Sequence, residues 1–79
     1  MASTYGQRVR QTIAANVRRR RNQLGLTQAG AADQIGIATR HLQKLEAGEL
    51  NVTLNTLCKV AETLDIPMTD LFREPKVKS

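Results

Sequence analysis

Apolar residues recur along this chain at helical spacing, in stripes separated by glycine, threonine and proline. Val9, Ile13, Val17 and Leu24 follow at steps of four, four and seven, and Ala14 widens the face, which predicts a first helix from about Tyr5 to Leu24. Leu24-Gly25-Leu26 ends it at a glycine. Thr27 is an N-cap residue, and Ala31, Ala32 and Ile35 form the inner face of a short second helix. Gly36 breaks that pattern where a tight turn needs positive φ. Ile37, Leu42 and Leu45 mark a third helix, closed by Gly48. Thr53 caps a fourth, with Val52 and Leu57 as a hydrophobic staple and a stripe of Leu54, Leu57, Cys58, Ala61 and Leu64 with Val60 alongside. Asp65-Ile66-Pro67 ends that helix, and Pro67 opens a last short one, Met68 to Phe72, whose Leu71 and Phe72 are expected to return to the core. Residues 1–4 and the charged tail 73–79 carry no pattern and are expected to be disordered.

The second and third helices are too short to bury anything side by side. Joined by a turn of about three or four residues they must cross steeply, as in a helix-turn-helix, and Ala32 is small where the two backbones come close. The third helix, about residues 38–47, then carries Thr39, Arg40, Gln43 and Lys44 on one stripe. The core needs none of them, and as donors they suit base edges and phosphates.

Arg21 falls at the inward edge of the first stripe, where a guanidinium needs an acceptor, and Glu46 at the end of the third helix is the best candidate. Gln28 heads the second helix, beside free backbone N–H groups able to hold a phosphate oxygen. Asn51 lies in the loop after the motif, where it either turns the chain or touches phosphate.

In these residues the chain resembles the phage repressor and Cro class of helix-turn-helix domains (XRE-like, lambda-repressor-like). The likeness rests on Asn16-Val17-Arg18, Arg21, Leu24-Gly25-Leu26-Thr27-Gln28, Ala32, Gly36-Ile37, Leu42, Leu45-Glu46, Gly48, Thr53-Leu54, Leu57, Lys59-Val60-Ala61, Leu64 and Leu71-Phe72, and covers residues 9 to 72. Ala31 departs from it, where the family usually carries leucine. Gly30 is an unusual choice inside a helix, at about 1 kcal/mol against alanine. Both predict a less rigid second helix. The resemblance implies an all-α, five-helix bundle in a single domain over 1–79, with its DNA-binding core at 9–72. It implies an Arg21–Glu46 bridge tying the first and third helices, and Gln28 on phosphate. It also implies a sequence-specific regulator, repressor-like, that binds double-stranded DNA as a homodimer on a near-palindromic operator. The dimer surface is expected either at the last helix, with Leu71 and Phe72, or at the start of the first, with Tyr5 and Val9.

Charge agrees with a polyanionic partner. The formal net charge is +5, and the first 21 residues hold six arginines and no acid. Of these, some of Arg18, Arg19 and Arg20 are expected on phosphates. One histidine and one cysteine allow no intrachain disulfide, metal cluster or Ser–His–Asp arrangement. His41 reads as a solvated neighbour of the base-reading stripe, and Cys58 as a buried, inert thiol. Catalysis, a cofactor, a small-molecule effector and a membrane partner are not expected. With no apolar leader, a cytoplasmic, nucleoid-associated protein is the simple expectation. A protein-interaction adaptor on the same fold, an antitoxin and a restriction–modification controller remain alternatives.

Overall fold

In the computed structural model, residues 4–49 and 51–74 are described. They form α1 (Thr4–Gln23), α2 (Gln28–Ile35), α3 (Thr39–Glu46), α4 (Leu54–Leu64) and α5 (Met68–Leu71). α1 packs along α3, α4 and α5, while α2 is held between α3 and α4. The core is aliphatic: Val17, Ala31, Ala32, Leu42, Val60, Leu64 and Leu71 are wholly buried, and Ile13, Ile35, Leu45 and Leu57 nearly so.

Local chemistry sets the element ends. Thr27 Oγ1 accepts from the Gly30 N–H at 3.0 Å, and Thr53 Oγ1 accepts from the Thr56 N–H at 3.1 Å. A side chain at residue 30 would set its Cβ 3.1 Å from Thr27 Oγ1, so glycine there leaves the cap room. Gly36 sits at φ 88°, and its N–H and that of Ile37 both turn back onto the Ala32 carbonyl. Gly48 adopts φ 74° and also lies against α1. A Cβ on it would meet Gln11 Cγ at 3.3 Å, so the chain after α3 passes close beneath α1.

Five expectations need correction. Cys58 is exposed, not buried, and Leu54 is 67% exposed. The buried face of α4 is Leu57, Val60, Ala61 and Leu64, rotated toward Val60, which leaves Leu54 and Cys58 on the flank. Leu24 is exposed because α1 stops at Gln23 and Leu26, one turn signal later, packs against the core in its place. Phe72 is 46% exposed: α5 turns Leu71 and, in part, Met68 toward the core, and Phe72 follows at its end with its ring outside. Of the segments expected to be disordered, Thr4 opens α1, and Arg73 and Glu74 are held by ion pairs to Asp70 and Arg8, while residues 1–3 and 75–79 lie outside the described residues.

Candidate nucleic-acid interface

α3 is divided along its length. Leu42, Leu45 and Glu46 are buried, while Arg40, Gln43 and Lys44 are exposed and Thr39 is half-buried. Among the described residues, the side chains of these last four make no hydrogen bond or ion pair. The N-cap residue of α3, Ala38, supplies no side-chain acceptor. That end therefore keeps open backbone donors beside a row of unpaired polar side chains. His41, between the two faces, is half-buried, and its Nε2 is shielded from solvent without a hydrogen-bond partner. It is not the solvated neighbour that its position implied.

Behind this face stands one carboxylate. Glu46 is 3% exposed. Arg21 reaches it with a fork, Nε to Oε2 at 2.7 Å and Nη2 to Oε1 at 3.0 Å. Gln28 Nε2 donates to Oε1 at 3.1 Å, and Arg18 Nη1 donates to the Glu46 backbone carbonyl at 2.9 Å. The third nitrogen of the Arg21 guanidinium, Nη1, closes the turn before α2 by donating to Leu26 O at 2.8 Å. The hydrogen bond to Glu46 raises the Arg21 pKa above its ordinary value, against the opposing effect of burial. α1, α2 and α3 thus meet at one neutralised ion pair.

The arginine run divides by direction. Arg18 lies on the α3 side. Arg19 Nη2 donates to Asn16 Oδ1 at 2.7 Å. Arg20 Nε donates to Leu64 O at 2.8 Å at the end of α4. Arg19 and Arg20 therefore line the cleft toward α4 and α5, with Asp65, Asp70 and Arg73. Asn51 is exposed and accepts from Arg10 Nη1 at 3.2 Å. The structure thus groups Gln28 and Arg18 with α3, and places Arg19 and Arg20 elsewhere.

One organising residue carried no functional reading in the sequence. Asn16 is wholly buried, and its Nδ2 donates to the carbonyls of Asp70, Leu71 and Arg73 at 3.0, 2.8 and 2.9 Å. An asparagine midway along a stripe of apolar residues was the available clue.

Two short packed helices with a polar outer face on the second, braced from α1 by a buried Arg–Glu pair, define a class. Residues 17–71 match the helix-turn-helix family model, and the chain belongs to that family, in its repressor and Cro branch. It is 36% identical over 59 residues to RstR, the cryptic phage CTXphi transcriptional repressor of Vibrio cholerae, covering 75% of this chain and 53% of RstR. The chain spans about half the length of the curated relatives it matches. Among solved structures it is similar to the hypothetical transcription factor NHTF from Neisseria, with TM-score 0.83, 27% identity and coverage of 89% and 80% of the two chains. It is also similar to the restriction–modification controller C.AhdI from Aeromonas hydrophila, with TM-score 0.76, 30% identity and coverage of 80% and 96%. Among the described residues, no helix is long and apolar enough to cross a membrane.

Proposed function

We propose that this chain is a sequence-specific, double-stranded DNA-binding transcriptional regulator of repressor type, acting in the cytoplasm. The observation that carries the reading is the outer face of α3, where Thr39, Arg40, Gln43 and Lys44 stand without internal partners above a buried Leu42–Leu45–Glu46 face. In this reading α3 enters the major groove, and Arg40, able to bond O6 and N7 of one guanine, is the main base reader. Gln28 and Arg18 grip phosphates beside it, and Asn51 does so through the loop. Arg19 and Arg20 turn away from α3, to the Asn16 amide oxygen and to the Leu64 carbonyl at the close of α4, so of the three only Arg18 keeps the phosphate role in this reading. The module offers few base contacts alone, so it acts as a homodimer on a near-palindromic site, with half-sites about 34 Å apart. The domain core extends over residues 9–72.

Selection from a pool of random duplexes, followed by a salt titration on the preferred sequence, tests this reading. A regulator yields a dyad-symmetric sequence whose preference survives at moderate salt. Binding that follows charge alone, with no enriched sequence, defeats it.

A second reading is favoured by the likeness to C.AhdI, of which this chain covers 96%. On that reading the same DNA chemistry serves as a restriction–modification controller. It predicts that the selected sequence recurs upstream of the chain's own gene and of a neighbouring endonuclease gene.

A further inference from the structure

We infer that Glu46 is a positioning residue for DNA contact: through Gln28, it sets which way the amide at the head of α2 faces. The inference rests on the DNA-binding reading above and adds to it a residue that never reaches the duplex.

The chemistry follows from what each group is able to offer. An ionised carboxylate only accepts hydrogen bonds, so the amide beside it must turn its nitrogen inward. Gln28 Nε2 is 3.1 Å from Glu46 Oε1, which leaves one N–H of that nitrogen uncommitted. The amide oxygen cannot take the inner place without opposing the carboxylate. The backbone N–H groups of Gln28 and Ala29 stand at the same helix end and have no partner among the described residues, while those of Gly30 and Ala31 close onto Thr27. One side-chain and two main-chain donors are thus offered at a single helix start, the arrangement that an anionic phosphate oxygen requires.

Glu46 performs this without repelling the phosphate. It is 3% exposed, and the Arg21 fork neutralises it from the other side. Gln28 therefore meets DNA already oriented, and less rotamer freedom is lost on binding.

A double-mutant cycle tests the inference on the full chain and the selected duplex, read by fluorescence anisotropy. Glu46→Gln replaces a group that only accepts by an amide able to present either its oxygen or its nitrogen, so the Gln28 orientation is no longer dictated. It is expected to weaken binding about tenfold alone, and by less than about twofold when Gln28 is already alanine. A Glu46→Gln loss of equal size in both backgrounds overturns the inference, because Glu46 would then act through the fold alone. Side-chain amide ¹⁵N relaxation of the unbound wild type supplies a measurement that needs no variant. The Gln28 amide is expected to be nearly as rigid as the α2 backbone, with an order parameter of about 0.8. A value below about 0.6, as for a freely turning surface amide such as Gln34, overturns it equally. If the wild type shows no sequence preference, the DNA-binding reading itself fails and the inference falls with it. A wild type that selects a sequence while the cycle is additive sinks the inference alone.

Discussion

The side-chain nitrogen of Asn16 lies 2.8 Å from the carbonyl oxygen of Leu71, 55 residues further along the chain. With bonds to Asp70 and Arg73, it closes the end of α5 from inside α1. Arg19 accounts for the amide oxygen, so all the polar atoms of a wholly buried side chain are matched.

Replacing Asn16 by alanine strands those carbonyls, and should lower stability by about 2 kcal/mol, or about 10 °C in Tm for a domain of this size. Asn16→Asp should be worse than alanine at neutral pH, because a carboxylate would face three carbonyl oxygens. Thermal unfolding followed by circular dichroism ranks the two. An aspartate variant as stable as the parent would contradict the bonding described.

Glu46→Ala leaves the Arg21 guanidinium, with only 12% of its side chain exposed, beside an empty place. A loss of about 3 kcal/mol is expected, whereas the paired replacement Arg21→Met with Glu46→Leu should recover most of it. Urea unfolding of the single and double variants decides. Because Glu46 raises the Arg21 pKa, the arginine's contribution is fully present below its unfolded pKa. It is lost only as pH rises through the folded value, in strong alkali. No stability change between neutral and mildly alkaline pH should therefore trace to Arg21.

Asp65 holds φ at 53°, the one non-glycine residue with positive φ among those described. The Ile66 N–H turns back onto Ala61 O at 2.9 Å there. Asp65→Gly should relieve the left-handed strain and leave stability unchanged or raised by up to about 1 kcal/mol. A clear fall in Tm would mean that the side chain contributes more than its backbone conformation costs.

On the selected duplex, Arg40→Ala should cost about 1–3 kcal/mol and relax preference at one base pair. Arg18→Ala should weaken all sequences alike and flatten the salt dependence. Competition binding with single-base variants separates these outcomes. Equal losses on specific and scrambled DNA for Arg40→Ala would remove it as a base reader.

The Cys58 thiol is exposed on the flank of α4. In the native protein it should react with a disulfide reagent at a rate close to that of the urea-unfolded chain. Protection by several orders of magnitude would return it to the core.

The helices were legible because each carries its own local signals: Thr27 and Thr53 at the starts, Gly36 and Gly48 at the ends, and stripes at helical spacing between them. The polar stripe of α3 was legible for the same reason, since an eight-residue helix has only one face left once Leu42 and Leu45 are buried. What the pattern left open was how far each stripe is rotated. Leu54 and Cys58 fit the α4 period as well as Val60 does, and only the helices packed against it select Val60. The destinations of Arg18, Arg19 and Arg20 were equally hidden, because their acceptors are backbone carbonyls or another buried side chain, and a carbonyl has no letter in a sequence.

Four successive arginines in α1 reach, in turn, the close of α3, the amide that ties off α5, the close of α4, and the Glu46 carboxylate together with the turn leading into α2. Since each residue advances a helix by about 100°, one extra residue upstream of them would hand every guanidinium its neighbour's address. The run is a repeat in spelling only. It keys the rotation of α1 about its own axis, so a length change in that helix should be tolerated far less well than any single arginine-to-lysine exchange within the run.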